Sequence, residues 1–355
     1  MYKLLRFWSI IITLLSTALA QSSVCDNILS PSTLVVSRGS SENLDLDAQR
    51  LNSGVSQIRA FDIGNLPSGR PYDFPSEGTL LGWGLRNSVG VAEHPTTGGV
   101  FSVENSSDQV ERNGTDIHED NPGEEMNYHG FLNGSTENQG GNYGYPDCFA
   151  LWGTDIPDVG NLTVGSQFAL DPDSTLNDTT CAQAFVPPRL TFQAHMAPLD
   201  ILFSQPDGMV AYVTFHGSWD RNGPVGYKLS TLAFADGQPI AASNSTNATA
   251  DILSNADLSK CPDGCFRPVG LAWDNQGRLF MSSDSTGEIY VLQQSEVSAT
   301  GTTPSSSSSG TLVTPTTQPN IAPRSTRSRP GGESLWLSCL AVALSLVCGI
   351  FFTLT

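Results

Sequence analysis

Four arginines of this chain, Arg38, Arg86, Arg221 and Arg267, each stand at the end of a strand-like apolar segment. A guanidinium pairs carboxylates or phosphates two bonds at a time and keeps its charge, so arginines collected at strand ends could hold an anionic ligand. Few other cations compete for that role. The chain has 355 residues and a formal net charge of −18, and five of its 17 basic residues (Lys3, Arg6, Arg324, Arg327, Arg329) lie in the terminal segments, leaving 12 for the body. Such a surface repels phosphate backbones and anionic membranes, which argues against nucleic acid as a partner. His216 and His195 are candidate proton carriers, and each reads equally well as a hydrogen-bonded structural histidine. Arg86 and Arg267 could also serve ion pairs between repeats, and Trp219, like Trp83 and Trp273, could be core rather than contact.

The elements that must position these residues repeat. Arg86-Asn-Ser-Val-Gly-Val-Ala92, running on to Gly-Gly-Val-Phe-Ser at 98–102, reappears as Arg267-Pro-Val-Gly-Leu-Ala272, running on to Gly277-Arg-Leu-Phe-Met-Ser282. A weaker copy runs from Ala197-Pro-Leu-Asp-Ile-Leu-Phe203 through Pro206-Asp-Gly208 into Val210–Phe215. Each copy reads as a short strand, a glycine-bearing turn and a second strand. Recurrence of such pairs with insertions between them predicts an all-β radial architecture, a β-propeller whose blades cannot bury their faces alone.

Residues 1–20 carry Lys3 and Arg6, an apolar run from Phe7 to Leu15 and Ala18-Leu-Ala20, which fits a cleaved secretory signal peptide. Residues 21–294 form the body, large enough for one β-rich domain. Residues 295–330 are rich in Ser, Thr and Pro and lack the apolar content that offsets ordering entropy, so a disordered, O-glycosylated stalk is expected there. Residues 331–355 end in a run, Leu335 to Thr355, without one charge; a GPI-attachment signal is the favoured reading and a transmembrane helix the alternative. Seven Asn-x-Ser/Thr sequons, at Asn105, Asn113, Asn133, Asn161, Asn177, Asn244 and Asn247, agree with passage through the secretory pathway, and with the C-terminal tail they make an extracellular glycoprotein held at the cell surface the expectation.

Five cysteines fall in the body, and in an oxidising compartment they should pair. Cys261-Pro-Asp-Gly-Cys265 can close a small loop through its turn, Cys148 with Cys181 could bracket an insertion, and Cys25 is left over. The Cys-x-x-x-Cys spacing is also half a zinc site, for which no second ligand pair stands at suitable spacing.

Six segments in order carry a resemblance: Leu34-Val-Val-Ser-Arg-Gly39, Gly82-Trp-Gly-Leu-Arg-Asn-Ser-Val-Gly90, Asp120-Asn-Pro-Gly-Glu-Glu-Met-Asn-Tyr-His129, Gly140-Gly-Asn-Tyr-Gly-Tyr-Pro146, Phe215-His-Gly-Ser-Trp-Asp-Arg221 and Phe266-Arg-Pro-Val-Gly270. Over about 33–293 the chain resembles the fungal pyrroloquinoline quinone (PQQ)-dependent pyranose dehydrogenases and soluble glucose/sorbosone dehydrogenases. The resemblance implies a six-bladed quinoprotein propeller in which PQQ and calcium oxidise a sugar and pass electrons to an external acceptor. PQQ is a tricarboxylate, which suits guanidiniums, and the implied cofactor contacts are Arg86, Asn87, Arg221, Arg267, Trp219 and Arg38. Calcium takes hard oxygen ligands, and the stretch at Asn121 and Pro122 is similar to the family's carbonyl-donating loop. Tyr143 could add an apolar face. Asp120, Glu124 and Glu125 also read as a solvated acidic loop.

One departure matters. Family members follow their first cysteine with further blades and a histidine motif that supplies the general base, whereas here Cys25–Ser32 runs directly into Thr33–Arg38. The chain therefore reads as an incomplete propeller of about four blades, with turnover expected to fall about a hundredfold if no other base serves. The competing reading is a non-catalytic, cell-surface carbohydrate-binding propeller. A serine hydrolase has little support, since no Gly-x-Ser-x-Gly elbow is present.

Overall fold

The computed structural model describes residues 11–13, 32–132, 136 and 139–293, and in it four antiparallel sheets follow one another along the chain. The first contains β1 (Ile11–Thr13), β2 (Thr33–Arg38), β3 (Gln57–Asp62) and β4 (Thr79–Trp83), paired in that order. The second is built from β5 (Ser88–Glu93) and β6 (Gly99–Glu104), a side hairpin of β7 (Glu111–Arg112) and β8 (Thr115–Asp116), then β9 (Glu124–Phe131). An insertion follows with β10 (Cys148–Ala150), β11 (Gln167–Ala169) and helix α1 (Asp178–Ala184), before β12 (Leu190–Phe192) completes the order β12-β9-β6-β5. The third holds β13 (Pro198–Phe203), β14 (Val210–Phe215), β15 (Lys228–Ala235), a short β16 (Gln238–Pro239) and β17 (Thr249–Ser254), and the fourth β18 (Pro268–Trp273), β19 (Leu279–Ser283) and β20 (Glu288–Leu292).

The strand pairs β5/β6, β13/β14 and β18/β19 are the three repeat copies. Their turns end on Gly98, Gly208 and Gly277, whose φ of 77°, 68° and 74° lies in the left-handed region that a side chain disfavours, which is why the repeat keeps glycine there. The first strand of each sheet packs on the first strand of the next, β5 on β13 and β13 on β18, so the sheets stand as blades around a common centre.

Apolar residues on facing strands fill the seams. Phe101, Val103 and Met126 of the second blade meet Phe203, Val213 and Phe234 of the third, with the rings of Phe101, Phe203 and Phe234 mutually edge-on at 5.1–5.8 Å. Each such phenylalanine contributes about 2–3 kcal/mol of burial. Val35, Ile58 and Leu81 meet Val91 and Val100 across the first seam, and Leu229 meets Leu279 and Met281 across the last.

Fold expectations from the sequence hold at this level, with one local exception. The insertion carries the seven-residue α1, where all-β structure was expected. Asn177 caps its start by accepting from Thr180 N, and Asp178 in its first turn makes a bidentate pair, 2.8 Å at both oxygens, with the buried Arg112. Disulfides join Cys148 to Cys181, tying β10 to α1, and Cys261 to Cys265 in the loop before β18. Cys25, the segments 14–31 and 294–355 and Asn133 lie outside the described residues, as does the expected signal peptide apart from Ile11–Thr13. Among the described residues no helix is long and apolar enough to cross a membrane.

Candidate functional site

Strands β5, β13 and β18 run in the same direction, so the residues just before them lie at one end of the blades, and the second strands β2, β6, β14 and β19 finish at that same end. Arg86, His195 and Arg267 precede first strands. Arg38, Glu104, His216 and Asp284 stand at or just beyond the ends of second strands. The fold thus brings to one rim residues that lie up to 246 positions apart in the sequence, from Arg38 to Asp284.

Contacts then link them from blade to blade. Arg86 Nη2 donates to Asn43 Oδ1 at 3.0 Å and to Asp108 Oδ2 at 3.4 Å, while its backbone N–H is accepted by the buried Glu104 carboxyl. Asp108 Oδ1 lies 3.3 Å from His195 Nδ1, and His195 Nε2 lies 2.6 Å from the carbonyl of His118. A ring with a carboxylate at one nitrogen and a carbonyl at the other needs a proton on both. Burial opposes that charge, yet Asp108, the His118 carbonyl and Glu124 outweigh it and raise the His195 pKa. His195 is therefore placed as a structural imidazolium, the role the sequence had left open beside that of proton carrier.

Asp220 Oδ2 accepts from Gln109 N at 2.8 Å, next to Asp108, and Arg221 reaches the carbonyl of Glu119 at 3.1 Å and Asp120 Oδ1 at 3.4 Å. Arg267 donates from Nη2 to the Gly217 carbonyl at 2.8 Å and from Nε to the His216 carbonyl at 3.2 Å, and its guanidinium stacks 5.4 Å from the Tyr227 ring centre. Gly217 is required here: at φ 102° a Cβ would stand 2.5 Å from the Tyr227 ring. His216 Nε2 faces both oxygens of Asp284 at 3.0 Å, which leaves Nδ1 as the basic position of a His–Asp dyad. Burial works to raise the Asp284 pKa, but the bond to His216 and the charges of His216 and Arg267 bring it below its ordinary value.

Among the described residues, Arg86 Nε and Arg221 Nε are buried and have no hydrogen-bond partner. A buried N–H without an acceptor costs about 1–3 kcal/mol, so each of these two donors favours a group, water or anion, that would accept from it. Asn87 sits beside Arg86, its Oδ1 so close to Gly39 that a Cβ there would approach to 2.6 Å. Arg38 is partly buried at the same rim, which lowers its pKa against the pull of Asp45. Trp219 is 62% exposed and stands out from the loop after β14, a free aromatic face rather than core. Tyr143 is fully enclosed and donates to the Tyr128 carbonyl, so the apolar face expected of it is spent in the core.

For a hard cation the rim offers two kinds of oxygen. The Asn121 side chain accepts from Trp152 N and Gly153 N and donates to the Gly153 carbonyl, so any metal contact by Asn121 or Pro122 falls to their carbonyl oxygens. Asp108, His195 and Asp220 offer ligand atoms within 4.8 Å of one another, of which the two carboxylates suit calcium and the imidazolium does not. Glu124 and Glu125, readable as a solvated loop from sequence, are instead buried on β9 and pushed up to about 7, chiefly by loss of water. Asn43, Asp108, Asp220, Asp284 and Glu104 were not singled out from sequence; only Asp220 lay inside a quoted motif.

Blades joined at their first strands, with a rim of guanidiniums and a His–Asp dyad, define a β-propeller of the kind found in PQQ-dependent dehydrogenases. The chain belongs to the family described as TrAA12-like, whose model matches residues 10–295. It is 56% identical over 269 residues to a pyrroloquinoline quinone-dependent sugar dehydrogenase of Hypocrea jecorina (strain QM6a), covering 75% of this chain and 60% of that protein. It is 36% identical over 285 residues to a pyrroloquinoline quinone-dependent pyranose dehydrogenase of Coprinopsis cinerea, covering 74% of this chain and 38% of that one. Among solved structures it is similar to the calcium structure of the Trichoderma reesei family AA12 enzyme, with TM-score 0.72, 58% identity and coverage of 75% and 66%. The holo PQQ domain of the Coprinopsis cinerea pyranose dehydrogenase aligns at TM-score 0.68 and 33% identity, over 74% of this chain and 67% of that one. The chain thus spans 60% and 38% of the length of these two curated relatives.

Proposed function

We propose that this chain carries the cofactor rim of a PQQ- and calcium-dependent sugar dehydrogenase. The observation that carries the reading is the pair of buried donors on Arg86 and Arg221, unpartnered among the described residues, at the rim where Arg267 and Arg38 also end. A tricarboxylate would satisfy those donors, with Asn87 beside Arg86 and Trp219 as a flat face for cofactor or sugar. The carboxylates of Asp108 and Asp220 and the carbonyls of Asn121 and Pro122 are the oxygens that would hold calcium. When bound, the quinone supplies the two-electron acceptor. His216, held through Nε2 by Asp284, would take the sugar hydroxyl proton at Nδ1 as the general base. With PQQ in place, the two electrons of the sugar C–H bond would pass through the quinone to an external acceptor.

The open face of Trp219, which could stack on a sugar ring with no cofactor present, favours a second reading, a carbohydrate-binding propeller without turnover. Equilibrium dialysis of the full chain with PQQ and calcium, together with dye reduction by a panel of pyranoses, separates the two. Saturable PQQ binding with dye reduction supports the dehydrogenase. Sugar binding without PQQ binding supports the module and overturns the first reading. We also propose an extracellular, surface-held protein with the signal, stalk and anchor described above; the two disulfides support passage through an oxidising compartment.

A further inference from the structure

Six of the seven sequons fall among the described residues, and the fold sorts them. Asn113 is exposed at the tip of the β7–β8 hairpin, where Asn113 and Gly114 take φ of 51° and 71° in a two-residue turn. Its Nδ2 reaches an exposed oxygen of Asp158 at 3.2 Å, and Thr115 beside it is exposed. Asn161 and Thr163 are both exposed in the insertion. Asn244 and Asn247 are exposed on the connection between β16 and β17, where Asn247 uses Oδ1 to accept from Ser245 Oγ at 2.9 Å. Asn177 is half-buried as the cap of α1.

Asn105 differs from all of these. Its Nδ2 donates to the Pro198 carbonyl at 2.5 Å, its N–H donates to the Asn87 carbonyl at 3.0 Å, and it is half-buried in the seam between the second and third blades. The side chain that a glycan would modify is thus the one that ties the end of β6 to the start of β13.

We propose that Asn113, Asn161 and the Asn244/Asn247 loop carry N-linked glycans and that Asn105, although a sequon, stays unmodified in the folded protein as an inter-blade clamp. The proposal rests on the secretory route proposed above. In the transfer, Nδ2 attacks the anomeric carbon of a lipid-pyrophosphate-linked oligosaccharide: the C–N bond forms, the bond from carbon to pyrophosphate oxygen breaks, and Nδ2 gives one proton to solvent. At the four open sites the substituted nitrogen points into water. At Asn105 the sugar would stand between the blades beside Asn87, so a chain modified there could not close that seam. The open sites also adjoin one another: Asn113 touches Asp158, and Gly165 faces the carbonyl of Ser243, so the glycans would gather on one flank formed by the insertion and the third blade.

The test is site-by-site occupancy. The full chain is secreted from yeast behind its own leader and, in parallel, behind a heterologous one, and the folded monomer is treated with peptide N-glycosidase in heavy-oxygen water and mapped by mass spectrometry. Label at Asn113, at Asn161 and at one or both of Asn244 and Asn247, with none at Asn105, is expected. Asn113→Gln and Asn161→Gln should each remove one glycan of mass. Label at Asn105 in folded monomer overturns the proposal, and so do bare open sites in material whose Cys148–Cys181 and Cys261–Cys265 disulfides have formed. Failure of the native leader with success of the heterologous one counts against the secretory reading and leaves the sorting of sites to be judged on the second sample.

Discussion

Glu124 gives the rim a pH dependence whose sign can be worked out. It is 4% exposed on β9, Oε1 accepts from Ala197 N at 3.0 Å and Oε2 from Ser106 N at 2.7 Å, so one carboxyl pins the loops that carry His195 and Asp108. Loss of water raises its pKa from 4.5 to about 7, against the two N–H donors and His195. Between those values the folded protein holds a proton that the unfolded chain has released, so stability is greatest at and below the unfolded value and falls as pH rises through about 7. At about 1.4 kcal/mol per unit, the whole effect of this group is at most about 3.5 kcal/mol. Glu125 and Asp200, each pushed to about 7 by burial, act in the same direction.

Glu124→Gln isolates the contribution. Glutamine cannot titrate and keeps an acceptor for one of the two N–H groups, but it turns an amide N–H₂ on the other, a cost of about 1–3 kcal/mol that does not vary with pH. The variant should therefore be less stable than the wild type at pH 5, and the gap should close by roughly 2 kcal/mol or more by pH 8 as the wild type pays to ionise. Urea unfolding of both proteins across that window measures it. Parallel curves would show that Glu124 does not titrate there, and a gap widening with pH would show that its carboxylate stabilises the fold; either result refutes the reasoning.

Four further outcomes are expected. Removing the Cys148–Cys181 disulfide, which closes a loop of 33 residues, should cost about 4 kcal/mol, and removing Cys261–Cys265, with a separation of 4, about 2 kcal/mol, read as denaturant midpoints of the paired serine variants. Asp178→Ala should cost about 3–5 kcal/mol because it strands Arg112, whose side chain is 2% exposed, and the double change to Arg112→Met and Asp178→Leu should recover much of that loss. Arg267→Lys should weaken PQQ binding about tenfold or more in equilibrium dialysis, since an ammonium cannot both keep the Gly217 carbonyl and present a fork to a carboxylate. His216→Gln should lower kcat in dye-coupled turnover about a hundredfold with KM little changed, and Asp284→Asn should shift the pH profile as well as lower kcat.

What the sequence disclosed and what it hid follow from how each part of the fold is built. The copies at Arg86 and Arg267 were legible because a first strand, a left-handed glycine turn and a second strand must recur wherever a blade recurs. The copy at Ala197 was fainter because Asp200 interrupts its apolar run; that carboxyl is buried, accepting from Leu271 N at 2.7 Å in the next blade. The first blade was not recognised as a copy, since the Gln57–Asp62 strand pairs with Thr33–Arg38 across a long loop instead of a glycine turn. Helix α1 was hidden in an Asn-Asp-Thr-Thr run that reads as a turn until Asn177 caps it and Arg112 anchors Asp178. The acids of the rim were hidden for a different reason. Asp108 reaches Arg86 over 22 positions from a loop of the same blade, whereas Asp284 reaches His216 over 68 and Asp220 reaches Gln109 over 111, each of these two from a loop on another blade. A residue that lines a strand must repeat with the strand, whereas a residue that completes a site across a seam need only be within reach once the blades are packed. The arginines belong to the first kind and their partners to the second, which is why the sequence shows the cations of this rim and the fold is needed to show what orients them.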